Sequence, residues 1–170
     1  HGLDLAETVV VLLRLAAPGW VSVPRFYDVE YLPVGRIRRV APNRPGVPWR
    51  VSKHTVSDLD QWPYPKAPLV PLAETVHERA SVEIFRGCTR GCRFCQAGMI
   101  TRPVRERSVT TVGDMVTNAV ERTGFEEVGL LSLSSADHSE IAEITTGLAD
   151  QYEGTNTSLS LPSTRVDAFN

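Results

Sequence analysis

Cys88, Cys92 and Cys95 stand at C-x3-C-x2-C spacing, and the sequence contains no other cysteine. Thiols this close together, with none elsewhere to pair with, make a ligand set rather than a disulfide framework. An iron-sulfur cluster that only transfers electrons carries a cysteine on each of its four irons, whereas three cysteines leave one iron without a protein ligand. An open iron can take the amino and carboxylate groups of an external ligand, and an electron delivered through the cluster can then cleave a sulfonium C–S bond. Two other readings stay open. One is a plain electron-transfer module. The other is a structural zinc site with a fourth ligand from His54 or His77, although the spacing departs from the paired knuckles of common zinc sites. An inert buried cluster does not fit flanks of Gly87, Gly91 and arginine.

Arg86, Arg90, Arg93, Arg102, Arg105 and Arg107 surround the cysteines with only Glu83 and Glu106 nearby, so this region is locally cationic. The arginines either balance an anionic cluster and cofactor or track an RNA backbone; the second needs aromatic or base-reading partners, which are scarce here. His54, His77 and His138 read as surface or capping residues rather than ligands.

The elements that must position this motif follow from periodicity. Between Asp4 and Ala17 the apolar residues Leu5, Val9, Leu12, Leu13 and Ala16 recur at helical spacing, and Pro18-Gly19 ends the pattern. From Trp20 to Pro71 prolines are too frequent for long helices or central strands, and the stretch reads as a connector. Within it, Val29 to Leu32 and Arg36 to Val40 flank Pro33-Val34-Gly35 and suit a small hairpin. After Pro71, Ser81 to Phe85 alternates like a strand. A helix capped by Thr110 or Thr111 is expected to run to Thr123, with Gly124 as its stop. Glu127 to Ser134 reads as a second strand, apolar enough for cover on both faces. Ser139 to Tyr152 reads as a second helix stopped by Gly154, and Thr157 to Leu161 as a third strand. Strands alternating with helices predict α/β architecture with a parallel sheet, and the cysteines then lie at the C-terminal end of its first strand, where such sheets build their sites.

Composition sets the outer bounds. With 42% hydrophobic residues and 18 basic against 20 acidic side chains, the chain reads as globular, in one or two domains. No apolar run reaches the roughly 18 residues of a membrane span, and three clustered thiols suit a reducing cytosol, so a cytoplasmic protein with no membrane partner is expected. Starting at His1 within a helical pattern, without a secretory leader, the sequence reads as a segment of a longer chain.

The segment Arg86-Gly-Cys88-Thr-Arg-Gly-Cys92-Arg-Phe-Cys95-Gln-Ala-Gly98 resembles the C-x3-C-x-aromatic-C signature of the radical S-adenosylmethionine (SAM) superfamily, with Phe94 at the aromatic position. It is most similar to a poorly characterised group carrying an RGCTRGCRFCQAG-type motif, related to methylthiotransferases and other tRNA-modifying radical enzymes, and the resemblance covers most of the chain. It implies a 4Fe-4S cluster held by Cys88, Cys92 and Cys95, SAM as the second cofactor, Phe94 near the adenine, and residues at the end of the second strand near the methionine moiety. Many members have Gly-Gly-Glu there, whereas this chain has Ser132-Leu-Ser-Ser-Ala-Asp137. Ser134 and Ser135 are the candidates for the ammonium or carboxylate, with turn formation as the alternative. Arg165, just past the third strand, is a candidate carboxylate partner, with a surface salt bridge as the alternative.

The resemblance also implies an upstream cobalamin-binding-like domain, hence cobalamin in the full-length parent, an electron donor such as flavodoxin or ferredoxin, and RNA among the substrates of related enzymes. The expected organisation is residues 1–19 as the last helix of that upstream domain, 20–80 as the proline-rich connector and 81–170 as the N-terminal half of a radical SAM (β/α) barrel. With half of a six-unit barrel missing, the segment alone is expected to be inactive.

Overall fold

The computed structural model describes residues 4–73 and 75–165, so the chain end at Asp167 to Asn170 lies outside the described residues. Two compact units divide the chain, His1–Thr55 and Val56–Asn170.

In the first unit, helix α1 (Leu5–Ala16) begins with a capping box. Asp4 accepts the Glu7 N–H at 2.7 Å, and the Glu7 carboxylate accepts the Asp4 N–H at 3.0 Å, which satisfies two of the free donors at the helix start. Its Leu12, Leu13 and Ala16 meet Val23, Phe26 and Val47 in a small core. Strands β1 (Tyr27–Tyr31) and β2 (Ile37–Pro42) form the antiparallel hairpin that the sequence predicts. Gly35 closes its turn at φ +77°, a backbone state that favours glycine. The prolines that follow do not leave this part of the chain extended. Hydrogen bonds from Tyr27 Oη to the Pro48 carbonyl (2.7 Å) and from Ser52 N to the Gly19 carbonyl (2.8 Å) fold it back within the unit.

The second unit contains strands β3 (Ala80–Glu83), β4 (Phe85–Arg86), β5 (Arg105–Glu106), β6 (Glu127–Leu131) and β7 (Ser158–Ser160). Its helices are α2 (Gln96–Ile100), α3 (Val109–Thr123) and α4 (Ile141–Gln151). Strands β3, β6 and β7 form a parallel sheet in that order, with Val82 opposite Leu130 and Val128 opposite Leu159. This is the expected α/β arrangement of part of a β/α barrel. Ala80, Val82, Val128, Leu130 and Leu159 alternate onto one face, where they pack against Val112, Met115 and Val116 of α3 and Ile144 and Leu148 of α4. Each large side chain buried there contributes about 1.5–3 kcal/mol of hydrophobic stabilisation.

The other face differs from the expectation of a second apolar layer. Ser81, Glu83, Gly129, Leu131, Ser158 and Ser160 alternate onto it, and only Leu131 is a large hydrophobe. Both helix starts also differ. Helix α3 is capped by Ser108 rather than Thr110 or Thr111: the Ser108 Oγ accepts the Thr111 N–H at 3.2 Å, because the pairing that sends Arg107 N to the Ile84 carbonyl (2.9 Å) ends immediately before it. Helix α4 starts at Ile141 rather than Ser139, since the His138 ring accepts the Glu140 N–H at 3.1 Å. Gly124 ends α3 in the left-handed conformation, as expected.

Candidate functional site: the cysteine loop at the strand ends

Beyond β3 the chain pairs briefly, β4 with β5, and then turns sharply at Gly87. This glycine is at φ +97°, and a Cβ on it would lie 2.6 Å from the Pro103 carbonyl oxygen and 3.0 Å from that of Thr101. Conformation and space both demand glycine, so Gly87 fixes how the chain enters the cysteine loop. Arg102 then clamps the loop by donating to the carbonyls of Cys88 (3.1 Å), Thr89 (3.4 Å) and Arg90 (3.0 Å). The loop ends where Cys95 caps α2.

Each of the three sulfurs accepts an N–H. Cys88 Sγ takes it from Arg90 N (3.4 Å), Cys95 Sγ from Gly98 N (3.4 Å) and Cys92 Sγ from the Arg165 guanidinium (3.6 Å). Gly98 sits in a cradle between two of the cysteines, since a Cβ on it would lie 3.6 Å from Cys88 Cβ and 3.7 Å from Cys95 Sγ. Cys92 and Cys95 are half-buried, and Cys88 is buried. Among the described residues, no three His, Cys, Asp or Glu side chains are gathered tightly enough to hold one metal ion.

The strand ends bring the remaining residues here. After β6, a 3-10 turn at Ser135–Asp137 is rooted in the strand by Ser135 Oγ, which donates to the Leu130 carbonyl (3.0 Å) and contacts Ser132 Oγ. The Ser135 hydroxyl thus serves the turn. The Ser134 hydroxyl is also buried, yet makes no hydrogen bond of ordinary geometry. It lies near enough to Asp137 to help keep that carboxyl ionised. The Ser135 N–H holds the Ser163 carbonyl at 2.9 Å, which ties the segment beyond β7 to this turn and delivers Arg165 to Cys92. Phe94, in contrast, is 92% exposed.

Asp137 is the residue that the sequence reading passed over. Arg90 grips its carboxylate with two N–H groups, one at 2.9 Å. This pairing, helped by Ser134 and by the charges of Arg90 and Arg165 against the opposing effect of burial, holds the carboxyl at about 2 rather than its ordinary 3.8. An acidic side chain directly after the predicted second strand, facing a loop rich in arginine, was the available signal.

The arginines have a role that neither sequence reading contained. Arg105 donates to the carbonyls of Thr101 (2.9 Å), Pro103 (3.0 Å) and Val56 (3.1 Å), Arg107 is buried and donates to the Leu59 carbonyl, and Arg86 pairs with Glu83 through two bonds. Arg105 and Arg107 hold irregular backbone, whose carbonyls have no ladder partners, whereas Arg86 meets a carboxylate. His138 is buried rather than on the surface, with Nε2 at 3.1 Å from the Arg107 carbonyl.

A model of the radical SAM superfamily matches residues 82–169, from the first strand of the sheet through the cysteine loop and onward. The chain belongs to the radical SAM superfamily. It is also 29% identical over 159 residues to an uncharacterized protein of Methanocaldococcus jannaschii, a match covering 87% of this chain and 30% of the relative. The chain therefore spans less than a third of the curated relative it matches. No solved structure matches it.

Membership of the radical SAM superfamily implies a 4Fe-4S cluster and SAM, and the residues present fit both groups. Three thiols on one loop, each accepting an N–H, are suited to serve as cluster ligands, since hydrogen bonds to sulfur are a normal part of cluster environments. The buried Ser134 hydroxyl stands at the strand end beside the loop and next to Asp137, a polar group of the kind a cofactor's ammonium or carboxylate would meet. Among the described residues, no helix of this radical SAM chain is long and apolar enough to cross a membrane.

Proposed function

We propose that this chain is the cluster-bearing part of a radical SAM enzyme, with Cys88, Cys92 and Cys95 each holding one iron of a 4Fe-4S cluster and the fourth iron left for SAM. The observation that carries this reading is the placement of all three thiols on one loop at the C-terminal ends of parallel strands, with every sulfur accepting an N–H. When bound, the cluster supplies the electron for reductive cleavage of the SAM sulfonium, which starts radical chemistry. The protein's own residues orient the cofactor. Ser134 offers its hydroxyl to the methionine part, Ser135 keeps the turn that presents it, Arg165 stands beside Cys92 as a cation for a carboxylate, and exposed Phe94 is available to cover the adenine. The Ser134 reading is supported by the burial of its hydroxyl at the strand end beside the cysteine loop.

Anaerobic reconstitution of the full-length protein tests this reading. We expect about four iron and four sulfide per chain and a spectrum that changes when SAM is added. Replacing any one of Cys88, Cys92 or Cys95 with Ala should remove the cluster absorbance. Two single variants that kept a full complement and still cleaved SAM would refute the assignment, a SAM-indifferent cluster would favour an electron-transfer module, and bound zinc without sulfide a structural site.

A further inference from the structure

We infer that Asp137 is the positioning residue of the cysteine loop: its carboxylate anchors Arg90, which lies between Cys88 and Cys92, and faces Arg165, which donates to Cys92. The inference rests on the reading of these cysteines as cluster ligands and goes beyond it, because it assigns the end of the second strand a role toward the sulfurs themselves.

Arg90 is tied at three points. Its N–H donates to Cys88 Sγ (3.4 Å), its carbonyl accepts from Arg102 (3.0 Å), and its guanidinium is held by Asp137. Arg102 follows the loop by way of α2 and ties the loop carbonyls to the segment after that helix. Asp137 ties the loop to the sheet. Its N–H donates to the Ser134 carbonyl (2.9 Å), and its turn is rooted in β6 through Ser135 and Leu130. The same turn holds Ser163, two residues before Arg165. One carboxylate thus stands between the two cations that border the cysteines. Its side chain is 16% exposed, so water screens it only in part.

Two consequences follow from charge alone. An anion fixed near a cluster disfavours added negative charge, and a cation favours it. Removing the Asp137 charge should therefore raise the midpoint potential, and removing the Arg165 charge should lower it. A scaffold role without electrostatics would not produce shifts of opposite sign.

The test compares wild type, Asp137→Asn, Asp137→Glu, Arg90→Gln and Arg165→Gln in the full-length protein. In the metal-free state, hydrogen exchange of the amides from Cys88 to Cys95 should be several-fold faster in D137N and R90Q than in wild type, with D137E close to wild type. In the reconstituted state, redox titration should show a positive shift for D137N, a negative shift for R165Q and little change for D137E. R90Q carries the exchange test if D137N does not fold. Unchanged exchange in D137N or R90Q, potential shifts of the same sign, or a D137E variant indistinguishable from D137N would overturn the inference. A wild-type protein that takes up no iron or sulfide would defeat the cluster reading instead, and the exchange comparison would still decide this one.

Discussion

At the amino-terminal end of the sheet, Arg79 lies across Gly129 and pairs with Glu127 at 3.2 Å, while Leu69, Leu72 and Val76 stand almost fully exposed nearby in sequence. At the carboxyl-terminal end of the same strands, Arg102 and Arg105 each donate to three carbonyls and Arg90 grips a carboxylate. The difference lies in what the backbone can do for itself. Strands satisfy their own carbonyls, so an arginine beside them has only a surface pair to make; the cysteine loop has no ladder, and its carbonyls need donors from outside. Part of the arginine density around the cysteines, Arg102, Arg105 and Arg107, thus serves irregular backbone rather than charge balance.

The comparison would be broken most severely at Gly87. Substitution by Ala forces a Cβ to 2.6 Å from backbone that has no flexible end to move, at a φ that Ala adopts with strain. We expect a loss of at least about 1–3 kcal/mol in chemical denaturation and of most of the iron taken up on reconstitution. Gly124→Ala is the control. Its φ is +69° but nothing lies within 4 Å, so a cost of about 1 kcal/mol with normal iron content is expected.

A smaller effect separates the two ends directly. Arg102→Met removes donors from three loop carbonyls, which water can only partly replace, and should cost about 1–2 kcal/mol and speed hydrogen exchange between Cys88 and Arg90. Arg79→Met breaks a pair whose Glu127 side chain is 42% exposed and should cost no more than about 1 kcal/mol, with exchange in the cysteine loop unchanged. Equal effects of the two substitutions on the loop would remove the distinction.

The smallest expected effect is pH dependence. Asp137 is held at about 2 against an ordinary 3.8, so its contribution to stability is fully present above the ordinary value and disappears as pH falls through the lowered one. Because the Arg90 side chain is 44% exposed and screens the pair with solvent, about 1 kcal/mol should vanish between roughly pH 4 and pH 2. Denaturation at several pH values checks this, and D137N should flatten that part of the profile.

The strands, the helices and their parallel order were legible because periodicity is local. Val82, Val128 and Leu130 alternate, Val112, Met115 and Val116 recur at helical spacing, and Gly124 stops α3 where expected, whereas α4 ends at Gln151 with Tyr152 rather than Gly154 as its cap. The cysteine motif was legible because its spacing is the chemistry. The two-residue pairing of β4 with β5 was not, since so short a ladder leaves no pattern, and it moved the cap of α3 to Ser108. The tasks of Arg102 and Arg105 were also hidden. Their partners are main-chain carbonyls, some as distant in sequence as Val56, and a carbonyl has no letter in a sequence. Asp137 lay in view within Ser132 to Asp137, but only the turn at Ser135–Asp137 aims it at Arg90.

His138 holds a consequence for observing this molecule. Its Nδ1 accepts the Glu140 N–H, which leaves Nε2 to carry the hydrogen that points at the Arg107 carbonyl, so hydrogen bonding selects a single tautomer. Ligation through either nitrogen would break one of these bonds. The ring also packs against Phe85, with centroids 5.8 Å apart, and so touches the first strand's extension, the start of α3 and the start of α4 together. The imidazole nitrogens therefore form a native spectroscopic reporter, whose resonances register whether the pieces that frame the cysteine loop are assembled.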